Sequence, residues 1–252
     1  MNEITVPQPA NADTVQETTK PLSKLRIMAG IYHEPGRSFR AVATKPCWIL
    51  PLLLVIVTAF TQLLVTNDVR LDDAERRIRS DASLSPQEVQ AYQDNIDAQR
   101  VPGWEWSGIA YGLGFVALAK IMQIVPAAFF IWLGLLFGVD RSRFTAVLSV
   151  VALAFLVQIP EALVVSGLTF AKGTCLITLG PAVVLPPEWK DSPLYNLLFQ
   201  LDLGNVWIVS LLIIGLPRAG GASKRLAAVT VSYLWAIWLL INMFVGRLIQ
   251  IS

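Results

Sequence analysis

A chain of 252 residues that is 54% hydrophobic and 15% charged, with a mean hydropathy of +0.57 and a net charge of +2, carries more apolar surface than one soluble core of its size can hide. Soluble globular classes are excluded, and no nucleic-acid partner is expected. The pattern instead predicts an all-α polytopic membrane helix bundle with five transmembrane helices, a short amphipathic N-terminal helix and a helical extracytoplasmic loop.

Residues 1–21 are rich in Thr, Pro, Gln and Asn and are expected to form a disordered tail ahead of a membrane unit over 22–252. No cleavable signal peptide is expected there. Between Leu22 and Tyr32 the apolar residues Leu25, Met28, Ile31 and Tyr32 recur at helical spacing, with Lys24 and Arg26 opposite. This predicts a basic amphipathic helix lying on the inner leaflet, ended by Pro35-Gly36. A second short turn, Ser38 to Ala43, leads to Pro46 and the membrane. An anionic leaflet attracts each nearby cation by about 1 kcal/mol, so this collar is expected to anchor the first helix, with partner docking as the alternative.

The first span runs from Trp48 to Thr66 without an ionisable side chain, and Pro51 sits in its first turn, where a missing N–H costs little. In the loop over 67–105, Ser85-Pro86-Gln87-Glu88 has the form of a helix start, followed by Val89, Tyr92 and Ile96 at helical spacing. It holds too little apolar material for its own core, so it must pack on the membrane face or on the neighbouring loop. Trp104 and Trp106 mark the interface where the second span begins. That span, 106–137, is too long to stand upright, and tilt, protrusion or a bend at Pro126 is expected.

The third span, 144–170, is interrupted by Pro160 and Glu161. The fourth is short: only residues 205–216 are continuously apolar, and extending the stretch backward brings Asp202 and Gly204 inside. Two readings stay open. One has a short helix over 194–201, a break, and a new helix over 203–217 capped by Asp202; the other has a single tilted helix. The fifth span covers about 226–246.

Basic residues set the expected direction. Lys20, Lys24, Arg26, Arg37, Arg40 and Lys45 precede the first span, Arg141 and Arg143 lie between spans two and three, and Arg218, Lys224 and Arg225 lie between four and five. The loop after the first span is rich in acids, although it also carries arginines. The N-terminus is therefore expected in the cytoplasm and the C-terminus outside. Cys47 and Cys175 then fall on opposite sides and cannot pair.

Two spans carry polar groups that a bilayer should exclude. Lys120 and Gln123 share a face of span two; Gln158 and Glu161 share a face of span three. From the ends of their helices, Lys120 lies ~20 Å deep and Glu161 ~12 Å deep, a gap that a lysine stem and helix tilt can close. A Lys120–Glu161 pair is expected, completed by the two glutamines and reached by Asn242 from span five. It serves either as a clamp between helices or as part of an ion pathway. Small-residue stripes (Gly108 and Gly112, Gly134 and Gly138, and Ala228, Ser232 and Ala236) allow close helix approach, within this chain or between copies.

Catalytic motifs are absent: there is no Gly-x-Ser-x-Gly elbow, no His-Glu-x-x-His, no phosphate loop and no dinucleotide fingerprint. The lone His33 has no nucleophile beside it, and no spacing suits zinc. No enzyme activity, cofactor or metal is expected.

The residues leading into span one, Glu34-Pro35-Gly36-Arg37-Ser38-Phe39 and then Lys45-Pro46-Cys47-Trp48-Ile49-Leu50-Pro51, resemble the Yip domain family. So do Asp202-Leu203-Gly204-Asn205-Val206-Trp207, Gly215-Leu216 and Ser223-Lys224, in the same order. The resemblance spans about 24–245. It implies a five-span, non-enzymatic membrane protein with a cytoplasmic N-terminus. Eukaryotic members of the family interact with Rab GTPases in vesicle traffic, but their acidic cytoplasmic motif is missing here, so Rab binding does not carry over. The short tail and helical outer loop look like bacterial members, which implies an inner-membrane location. Two functions stay open: a scaffold organising lipids, copies of itself or other membrane proteins, and a small transporter or channel component using the Lys120/Glu161 region.

Overall fold

The computed structural model describes residues 23–80, 84–100, 106–138, 142–175, 177–186, 189 and 192–251, and from residue 243 onward it describes the backbone alone. The expected disordered tail over 1–21 and the Trp104 interface residue lie outside the described residues. Those residues form helices and turns without strands: α1 (Lys24–His33), α2 (Pro35–Thr44), α3 (Ile49–Ser80), α4 (Pro86–Gln99), α5 (Trp106–Leu136), α6 (Phe144–Ala154), α7 (Gln158–Lys172), α8 (Pro193–Gln200), α9 (Leu203–Ala219) and α10 (Lys224–Ile251). Short 3-10 turns stand at Phe155–Val157 and Pro181–Val184. The fold is an all-α polytopic bundle.

Four runs are long and apolar enough to cross a bilayer: Ile49–Ser80, Gly108–Leu136, Phe144–Lys172 and Lys224–Asn242. The fifth, Leu203–Ala219, is shorter; at ~1.5 Å per residue α9 reaches about 26 Å, a little under a hydrocarbon core of ~30 Å. It begins after a break, with α8 ending at Gln200 and the Asp202 carboxylate accepting the Asn205 N–H at 2.6 Å. Alternating directions put α1, α2, residues 137–138 and 142–143, and the turn at 220–223 at one end of the bundle, here the collar end. Residues 84–100, 173–175 and 177–186 lie at the other, the loop end.

The run from Phe144 to Lys172 is the centre. Two thirds of its apolar window (67%) is buried, against 17–22% for the other long runs, and α2, α3, α5 and α9 pack around its first half. Lipid tails are as apolar as leucine, so this burial gains little from water exclusion; dispersion, small residues and internal polar bonds must hold the helices together. Two of the small residues act within the chain. A Cβ on Gly134 would lie 2.6 Å from Thr230 Cγ2, and one on Gly138 would lie 2.7 Å from Leu226 Cδ2, so these two glycines let α5 close onto α10. Gly108 meets no neighbour, and Ser232 and Ala236 face outward.

The collar departs from the expected surface helix. Ile27, Met28, Ile31, Phe39 and Val42 are all buried in the main apolar cluster, while Leu25 is 70% exposed. The apolar face of α1 therefore belongs to the bundle and is not free to lie on a leaflet; α1 and α2 form a hairpin that α6 and α9 cover. The reason lies in the third span. A continuous helix would give the Leu156 carbonyl the N–H of residue 160, but Pro160 has none, and the chain tightens to a 3-10 turn over Phe155–Val157. The Tyr32 hydroxyl donates to that carbonyl at 2.6 Å, and the Tyr32 ring meets Trp207 edge-on at 6.0 Å. Burial raises the Tyr32 phenol above its ordinary pKa, so it stays a donor. Tyr32→Phe should cost about 1 kcal/mol in detergent unfolding, the worth of one such bond. An unchanged midpoint would refute that role.

At the loop end, α3 does not stop at residue 66 but continues as a helix to Ser80. The α4 helix, opened by a Ser85–Glu88 capping box, folds back on this extension. Ile96 is buried, and Arg100 donates to Asp72 at 2.6 Å and to Glu75 at 2.8 Å. The segment thus packs on its own preceding helix.

Asp73, on the same extension beyond the span, grips the neighbouring loop. It accepts the Cys175 N–H at 3.2 Å and the Thr174 hydroxyl at 3.1 Å, and it pairs with Arg77. Arg76 donates to the Gly173 carbonyl, where α7 ends in a left-handed turn (φ 61°) that suits glycine. Burial works to raise the Asp73 pKa, but the Cys175 N–H, Arg77 and Thr174 outweigh it and hold the carboxyl below its usual value. Its contribution is therefore complete above the unfolded pKa of ~4 and lost as pH falls through the lower folded value. Hydrogen exchange at the Cys175 amide, corrected for intrinsic rates, should stay slow near neutral pH and quicken in acid. In Asp73→Asn it should be fast throughout.

Candidate functional site

Midway along the bundle, a cavity of about 290 Å³ opens between α3, α5, α7, α8 and the loop at 177–179. Its lining mixes apolar side chains with Thr58, Gln62, Lys120, Gln158, Glu161, Thr178 and Asp202. The sequence bends toward it for local reasons. The 3-10 turn before α7 sets Gln158 at the start of a new helix, and one turn later Glu161 projects from the same face. The break between α8 and α9 places Asp202 at the rim, pressed by the loop: a Cβ on Gly180 would lie 3.0 Å from Asp202 Cα.

The expected Lys120–Glu161 ion pair is not formed. The Lys120 ammonium donates to Gln158 Oε1 at 3.0 Å and to Gln123 Oε1 at 3.3 Å, so glutamines, not the acid, hold it. The Glu161 carboxylate lies against the first turn of α9, where a Cβ on Gly204 would come within 2.6 Å of its Cδ and 2.9 Å of its Oε1. Helix N-termini favour negative charge, and Gly204 supplies the room for the carboxylate to approach. One acid of span three is therefore drawn to span four, leaving the lysine to amides. Gln123 is bonded to Lys120 but exposed on the flank of α5 and outside the cavity lining.

Asn242 does not join the cluster. Its side-chain amide donates to the Trp238 carbonyl of its own helix at 2.8 Å. Nothing in a helical sequence distinguishes an asparagine that reaches across from one that bonds back one turn. Three polar lining residues escaped the sequence reading: Thr58, Gln62 and Thr178. The first two did leave a signal, since they are four apart, hence on one face, in a span otherwise almost free of polar groups.

The remaining motif residues pack the collar instead of lining the cavity. Phe39 is fully buried, and a Cβ on Gly215 would lie 2.9 Å from its ring and 2.7 Å from Val150 Cγ1. Pro35 opens α2, and Pro51 lies in the first turn of α3. Beyond Pro46 the Cys47 N–H donates to Ser149 Oγ at 3.1 Å, and Trp48 packs half-buried against the main cluster. Trp207 stacks edge-on against Tyr32. Phe39, Gly215 and Trp207 are thus contact points of one collar-to-α9 seam, and the Cys47 amide ties the collar to α6.

The family model described as the Yip1 domain matches residues 29–245, from the middle of α1 to near the end of α10. The chain belongs to the Yip1 domain family. The matched Yip1 domain takes in the collar seam and the whole cavity, so both are features of the domain region and not of an added segment. No curated protein matches the chain, and no solved structure does. Its Yip1 domain and its long apolar helices make it a multi-pass integral membrane protein. Among the described residues no group of three or more metal-binding side chains is found.

Proposed function

We propose that this Yip1 domain protein is a non-enzymatic scaffold of a bacterial inner membrane that organises lipids or membrane proteins, itself included, at its collar end, with its N-terminus in the cytoplasm and its C-terminus outside. The observation that carries this reading is a rigid basic platform. The α1–α2 hairpin is locked into the bundle core, and from that end Lys24, Arg26, Arg37, Arg40, Lys45, Arg143, Arg218, Lys224 and Arg225 are all exposed, against the exposed acid Glu34 among the described residues there. A fixed cationic face suits an anionic leaflet or an acidic partner surface, and the basic bias supports a cytoplasmic orientation.

Reporter fusions after Gly138, Gly221 and Ser252 test the orientation, with the first two expected inside and the third outside. Cross-linking in native membranes from exposed positions on α2 tests the scaffold. A recurrent partner, lipid or second copy is expected, and a random background would overturn it.

A second reading is favoured by the cavity. An unpaired arrangement of Lys120 and Glu161 around an open space is less like a clamp and more like a passage, which supports a small transporter or channel component. Proteoliposomes showing no flux above empty vesicles across several ions would remove it.

A further inference from the structure

The cavity offers two charge environments within reach of each other. At one end stands the Lys120 ammonium with the Gln158 amide; at the other stand Glu161, beside the start of α9, and Asp202. Gln158 and Glu161 share one face of α7 three residues apart, so the two ends are separated by roughly one helical turn, ~5 Å. Thr58 and Gln62 of α3 and Thr178 of the loop line the space as well.

A single ion matches only half of this site. An anion would satisfy Lys120 and add to the negative charge of two carboxylates in largely apolar surroundings; a lone cation would do the reverse. A ligand carrying both charges a few bonds apart completes both ends at once. We propose that the cavity binds a compact zwitterion in which a two-carbon bridge joins an ammonium to a phosphate, the phosphoethanolamine group. The phosphate oxygens accept from Lys120 Nζ and the Gln158 amide, and the ammonium donates to Glu161 and Asp202. A cavity of about 290 Å³ stands at the small end of the range for ligand sites, as such a group requires.

The group has two possible sources, a lipid headgroup and a free metabolite. The lipid source has an entrance on the page: Gln123, which holds Lys120, is exposed on the flank of α5, and Ala119 and Phe130, four residues before and seven after it on the same helical face, are exposed there and offer an apolar surface for acyl chains. The proposal does not depend on the basic platform, which lies at the collar end. It shares its cavity with the transport reading but needs no flux.

The test uses the purified full chain in detergent. It is titrated with short-chain phosphatidylethanolamine, with phosphatidylglycerol of the same chain length, and with water-soluble O-phosphoethanolamine, and bound ligand is read by native mass spectrometry. Saturable binding of phosphatidylethanolamine at least tenfold tighter than phosphatidylglycerol is expected. Lys120→Met and Glu161→Gln should each weaken it at least tenfold, and Val165→Phe, which fills the cavity without touching a charge, should do the same. If O-phosphoethanolamine binds as tightly as the lipid, the free zwitterion is the ligand; if only the lipid binds, the headgroup is. Equal affinity for the two lipids, or no saturable binding of either phosphoethanolamine compound to the unmutated chain, overturns the proposal, and neither result requires a variant to fold. Failed partner capture at the collar would leave these outcomes unchanged.

Discussion

Phe39→Ala should destabilise the bundle by ~3–5 kcal/mol, the largest loss expected from a single substitution here. The ring is fully buried at the point where α2, α6 and α9 meet, against Val150 and the bare face of Gly215. Deleting it leaves a void that stiff helix backbones cannot fill, and lipid tails have no path to it. The loss also frees the collar, since Phe39 is the main plug joining α2 to α9. Reversible unfolding in mixed micelles should show an earlier transition, and proteolysis between residues 34 and 46 should accelerate. A loss under 1 kcal/mol would mean that the collar folds independently of the spans, which would sink the rigid platform.

Gly215→Leu should destabilise from the other side of the same contact, by roughly 1–3 kcal/mol or somewhat more, because overpacking forces neighbours off their rotamers. The size depends on what the new side chain meets. At Gly215 it meets Val150, a short branched residue on the most buried helix, and the Phe39 ring, and neither has room to retreat. At Gly204 the obstacle is the far end of the flexible Glu161 side chain, which can swing away, so a change there should shift the carboxylate more than it harms stability. The double variant Gly215→Leu with Phe39→Ala should recover part of both losses, with a coupling of ~0.5–3 kcal/mol, as the new leucine occupies the vacated volume. Strict additivity in the cycle would show that the two residues do not share one cavity.

Much of the architecture was legible in the chain. Uninterrupted apolar runs predict helical spans, because a bilayer leaves backbone amides no partner but their own helix. Likewise the Ser85-x-x-Glu88 pattern predicts the start of α4, where both reciprocal capping bonds are present. The short apolar run at 205–216 left the fourth span undecided, and the structure has it broken at Asp202. Less legible were the collar and the cavity. Helical periodicity in 22–32 reports that one face is apolar but not whether lipid or protein covers it. In this chain the cover is α6 and α9, recruited by a carbonyl that Pro160 leaves without its helical donor.

The polar cluster shows the same division. Spacing alone places Lys120 with Gln123 and Gln158 with Glu161, since residues three apart share a helical face. Which of them touch depends on rotations and offsets between helices that are distant in sequence. The lysine met a glutamine, the acid met the glycine-bared start of α9, and Asn242 turned back on its own helix. The amino-acid order alone determined the fold class, the family and the rough limits of the spans, because these follow from local hydropathy, backbone hydrogen bonding and short ordered motifs. Only the tertiary structure decided what covers the collar and where the two charges of the cleft come to rest. Those outcomes depend on packing between segments from about forty to more than a hundred residues apart, where fractions of a turn select one partner over another.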